Sequence, residues 1–140
     1  MRIIGLLLVA GATLGQAPSD SFQSVATMSQ LMVDIIHPAA NDILLFVNRG
    51  DSNDEKQWTS VRRSAITLAE SGNLLMMRGR ARDQGDWIKD AKMLVDVGAA
   101  AYKASQDKDM KALAAITESL DASCTTCHKQ YRPNVFPNSK

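Results

Sequence analysis

The chain has 140 residues, enough for one domain with one sizeable core. Its formal charge of +1 at pH 7 leaves no basic footprint for nucleic acid. Aromatic residues are only 5% of the chain while Ala, Leu, Met and charged residues are frequent, which suits packed helices better than a sheet.

The first element reads as an export signal over residues 1–17. Met1 and Arg2 supply a positive start, Ile3 to Leu14 is apolar, and Gly15-Gln16-Ala17 resembles a small-x-small cleavage site. Pro18 disfavours a cut directly before it, so the cleavage point is open by a few positions. The apolar run is short for a bilayer, which needs ~20 such residues; an uncleaved anchor is the alternative. No other segment approaches that length on this reading. Without Arg2, the 16 basic residues become 15 against 15 acidic, formally neutral. The mature domain, 18–140, is expected to be soluble and exported.

Four stretches of helical periodicity follow. The first carries Val25, Met28, Met32, Ile35, Ala39, Ile43 and Phe46 at steps of three and four. Pro38 interrupts it, and a kink is expected there because proline lacks a backbone donor. A split into two helices is the alternative, but the stripe is read as keeping its phase across the proline. The second stretch carries Trp58, Val61, Ala65, Leu68, Gly72 and Leu75. The third carries Trp87, Ala91, Leu94, Gly98 and Ala101, flanked by Ile88, Val95 and Tyr102. The fourth carries Leu113, Ile116, Leu120, Cys124, Cys127 and Tyr131.

The connections carry helix punctuation. Ser52 with Glu55 fits a capping box for the second helix, Asp86 is a candidate cap for the third, and Ser105 or Asp107 for the fourth. Pro133 should stop the fourth helix, leaving a frayed tail. The expected fold is all-α: an antiparallel up-down four-helix bundle.

The fourth helix holds the chemistry. Its segment "CTTCH" places the only two cysteines, Cys124 and Cys127, on one face, with His128 directly after the second and above the first. A haem offers two vinyl groups to two thiols, and its iron needs a nitrogen ligand nearby. The C-x-x-C-H spacing supplies both and is a c-type haem attachment signature. Export fits such attachment. Three other readings compete. An exported pair of thiols can form a disulfide. A redox-active C-x-x-C belongs near a βαβ pattern, which is missing here. Zinc needs four ligands, and only His37, on another helix, remains among the usual soft donors.

"CTTCHKQYRP" near the end of a four-helix chain resembles the class II c-type cytochromes, the cytochrome c-prime family. Cys124, Cys127, His128, Tyr131 and Arg132 match that family's C-x-x-C-H-x-x-Y/F-R pattern. "WIKDAKMLVDVGAAAYKASQDKDMKAL" is similar to its third helix and following turn. The resemblance spans essentially the mature chain, strongest over the last fifty residues. It implies one covalent haem c near the C-terminal end of the fourth helix, with His128 as proximal ligand.

The resemblance also frames the opposite side of the iron. In cytochrome c-prime proper the sixth position is empty and admits small gases. In low-spin relatives a methionine of the first helix fills it, and a thioether there raises the potential. "LMVDIIHPAANDIL" looks like the low-spin pattern, in which a methionine precedes the proline by six positions. Met32 and Pro38 stand at that spacing, so Met32 is the expected axial ligand. Met28, one turn earlier, and an open site are the alternatives, and core packing is the plain reading of either methionine. His37 is expected to face solvent or cap rather than bind iron, and Met76 and Met77 to pack in the core.

Arg132 is the first candidate partner for the haem propionates. Arg78, Arg80 and Arg82 form a basic run read as a solvated loop, or else as a docking patch for an acidic redox partner. Arg62 and Arg63 read as surface charges. Gly72, Ala91, Gly98 and Ala101 allow close approach of helices or of a flat haem. The expected function is single-electron transport in the periplasm between redox partner proteins, without enzymatic activity or stable membrane insertion. A homodimer through the first two helices is one assembly the resemblance allows. The alternative function is five-coordinate binding of nitric oxide or carbon monoxide, and a haem-free bundle with a disulfide is a third class.

Overall fold

A computed structural model of the chain describes residues 22–50 and 53–134. Among them there are four packed helices and no strand. They are α1 (Met28–Arg49), α2 (Glu55–Leu75), α3 (Asp86–Asp107) and α4 (Met110–Tyr131). The expected signal peptide, Ser52 and the end of the tail lie outside the described residues.

Local polar chemistry sets the helix starts. Thr27 and Gln30 form a reciprocal capping box at α1. Asp54 caps α2, accepting from the Lys56 N–H at 2.8 Å. Asp109 caps α4, accepting from the Ala112 N–H at 2.9 Å. Ser105 and Asp107 do not: α3 continues through both, Ser105 is buried, and Lys108 in the left-handed region ends the helix. At α3 the expected cap Asp86 is already helical. Asp83 instead accepts from the N–H groups of Gly85 at 2.8 Å and Trp87 at 3.1 Å. At its other end α4 stops at Tyr131, before Pro133, as expected.

Adjacent helices run antiparallel. Phe46 meets Trp58 edge-to-face, with ring centroids 4.7 Å apart, and Asp42 accepts from Ser60 at 3.1 Å and Ser64 at 2.7 Å, joining α1 to α2. The Trp87 indole N–H donates to the Leu75 carbonyl at 2.8 Å, tying the start of α3 to the end of α2. Trp87 also meets Tyr131 at 4.9 Å, joining the start of α3 to the end of α4. The α2–α3 interface is the tightest. A Cβ on Gly98 would lie 2.8 Å from the Ala69 Cα, and one on Gly72 would lie 2.8 Å from the Ala91 carbonyl oxygen. Both glycines therefore serve helix–helix approach.

The core stripes of α2 and α3 are buried as expected. The stripe of α1 is buried as expected only over its second half, at Ala39, Ile43 and Phe46. Val25 precedes the helix and is 89% exposed. Leu31 and Ile36 are buried, whereas Met28, Met32 and Ile35 are only half-buried. The cause is a π-helical segment, Leu31–Ile36, ahead of Pro38, in which the His37 N–H bonds to the Met32 carbonyl. The helix is neither split nor in constant phase. A straight α-helix turns ~100° per residue, so positions five apart diverge by about 140°. The wider turn brings both to the core. Burying two such side chains contributes ~1.5–3 kcal/mol each, more than the ~1 kcal/mol of one hydrogen bond loosened by the irregular turn.

By length and composition α1 could also cross a membrane, which the sequence reading did not anticipate. Its inner face, with Leu31, Ile36, Ala39, Ala40, Ile43 and Phe46 buried, packs in the bundle, while Val33 and Leu45 on the outer face are exposed.

Candidate functional site

Helical geometry places Cys124, Cys127, His128 and Tyr131 along one side of α4. Two neighbouring cavities open there. The larger, about 240 Å³, is lined by Met28, Ser29 and Met32 of α1, Arg82 and Trp87, and Cys127, His128, Tyr131 and Arg132. The smaller, about 40 Å³, lies deeper, between Met32, Ile36, Leu75, Trp87, Asp90, Ala91, Leu94, Ser123, Cys124, Cys127 and His128. Met32, Trp87, Cys127 and His128 belong to both. The site is thus walled by α1, α3 and α4 and closed on one side by the loop before α3.

Burial controls its acid–base chemistry. It holds the His128 imidazole below the usual histidine range, with the Arg132 charge adding to the effect. A neutral imidazole keeps the lone pair that a metal requires. Burial, the Asp90 charge and Cys124 push the Cys127 thiol up to about 11. Burial also raises Cys124. Both thiols are free and, being protonated at neutral pH, lack the depressed pKa of a reactive C-x-x-C pair. Among the described residues no three His, Cys, Asp or Glu side chains are grouped to hold a metal ion by themselves.

The sequence candidates separate clearly. Met32 shares both cavities with His128, and Met28 only the larger. His37 is exposed and lines neither. Met76 and Met77 are half-buried at the end of α2 and line neither, and the Met77 sulfur accepts from Arg80 at 3.5 Å. Arg132 lines the larger cavity from an exposed position, and its N–H bonds to the His128 carbonyl at 2.8 Å.

The basic run divides. Arg82 lines the larger cavity, Arg80 donates to the Ala26 carbonyl at 3.1 Å, and Arg78 is exposed. Arg62 pairs with Glu55 at 3.3 Å on the surface.

Three participants were missed from sequence. Trp87 was read only as core, yet it walls both cavities. Asp83 receives the Tyr131 hydroxyl, pinning the loop before α3 to the end of α4. That hydrogen bond, with those from Trp87 and Gly85, holds the Asp83 carboxyl below its usual range. Asp90 lies 5% exposed beside Cys127. Its signal was an acid inside the buried face of α3, between Trp87 and Leu94. Compared with protein-family models, curated proteins and solved structures, the chain has no match.

Proposed function

We propose that the chain is an exported class II c-type cytochrome that carries single electrons between redox proteins in the periplasm. The carrying observation is that Met32 and His128, from different helices, line the same two cavities as Cys127, with Cys124 at the inner one. The residues fit a covalently held haem. Two protonated thiols stand ready for thioether attachment, His128 offers a neutral nitrogen, and Trp87 and the methionines supply apolar walls. Haem bound there supplies reversible one-electron chemistry at iron. Arg82 and Arg132, which line the larger cavity, would be the residues to hold haem propionates through charge-assisted bonds. The protein's own contribution is a largely apolar pocket that both Met32 and His128 line.

The test is the mass and absorption spectrum of the protein matured in a host competent for c-type haem attachment. One haem mass and a low-spin spectrum are expected, with a weak sulfur-to-iron band that Met32→Ala abolishes. A high-spin reduced form that responds to carbon monoxide would replace electron transport with gas binding. A bare polypeptide mass would end the haem reading.

A further inference from the structure

Asp90 is a buried acid that the proposed function does not use. Its Oδ2 is fully buried and has no hydrogen-bond partner. The side chain lines the inner cavity together with Cys124, Cys127 and His128. Burial raises its carboxyl above the usual range; Asp86 and Asp83 add to that and Lys89 opposes it, so it is fully charged only at the higher pH used below. The pocket chemistry is otherwise apolar: Met32, Ile36, Leu75, Trp87, Ala91 and Leu94. An unpartnered carboxyl in such a place is costly to folding. No hydrogen bond offsets that cost, since neither Ser123 nor Trp87 bonds to it: their donors go to the carbonyls of Leu120 and Leu75, and only the Lys89 charge acts in its favour.

We infer that Asp90 is a positioning charge that lowers the reduction potential of the haem held by Cys124, Cys127 and His128. This rests on the functional reading above. The physics is Coulombic. Adding one electron to the iron removes one unit of positive charge from the site. A carboxylate beside the Cys127 attachment point favours the oxidised state, and the apolar walls screen it poorly. Asp90 thereby opposes the thioether of Met32, which favours the reduced state.

The experiment is a spectroelectrochemical titration of the haem-bearing full chain at pH 8, comparing wild type, Asp90→Asn, Asp90→Leu and the exposed control Asp96→Asn. Both Asp90 variants should favour reduction on the order of tenfold, about 59 mV for one electron. Their ligand bands should be unchanged, and Asp96→Asn should titrate like wild type. Asp90→Leu should also raise the urea midpoint, because it removes the unpartnered acid. Unchanged potentials in haem-bearing Asp90 variants overturn this inference alone. Failure of both variants to attach haem overturns it too, since the side chain would then serve attachment. A wild-type chain without haem removes the functional reading and this inference together.

Discussion

Gly98 shows how a single residue decides a contact. Glycine inside a helix ordinarily costs about 0.5–1 kcal/mol relative to alanine. At Gly98 the sign reverses, because an added Cβ would meet the backbone of Ala69, which cannot rotate away. Gly98→Ala should therefore destabilise the fold by about 1–3 kcal/mol, read as a lower urea midpoint. A stabilised variant would show that α2 and α3 do not approach so closely. The sequence left Gly98 open between helix packing and room for a flat cofactor. Only the pairing of α2 with α3 separates these, since the residue opposite Gly98 is more than twenty positions away. Asp90 was illegible for a related reason: periodicity marks a buried face but does not tell which positions on it border a cavity.

At the scale of elements, helix existence was legible and the residues that cap helix starts were not. Apolar residues every three or four positions report a buried face wherever they occur. A cap depends instead on one backbone turn, and Ser, Asp and Asn in each connection offer rival solutions. Asp109→Ala should cost about 1 kcal/mol, the usual value of an N-cap, whereas Asp107→Ala should stay within ~0.5 kcal/mol as an exposed substitution. Urea unfolding of both variants checks the assignment, and equal losses would refute it. The π segment of α1 is the same lesson on a larger scale. Pro38 announced a disturbance, but its form depended on Leu31 and Ile36 both finding the core, and α1 alone does not contain that core. The turn also leaves Met28 and Met32 half-buried and facing α4, rather than sealed inside.

For the molecule as a whole, the hydrogen bond from Tyr131 to Asp83 joins two elements distant in sequence and closes one wall of the site. Because the folded Asp83 carboxyl sits below its ordinary value, its contribution is present above about pH 4. It is lost as pH falls through the lowered folded value. Tyr131→Phe should raise the Asp83 pKa toward normal, since two backbone donors remain. It should also flatten the loss of stability as pH falls below about 4. Urea midpoints across that range, with the Asp83 carboxyl followed by NMR, test this; an unmoved Asp83 would show the hydroxyl is no partner in solution.

The sequence by itself determined the helical class, the buried faces of α2 and α3, and the shared side of Cys124, Cys127 and His128, because each follows from the local repeat of an α-helix. Tertiary structure alone decided that Met28 and Met32 share a cavity with His128, that Arg82 joins Arg132 there, and that an unpartnered acid borders Cys127. Those facts depend on how separate helices are rotated against one another, and such rotation is settled by packing between distant residues.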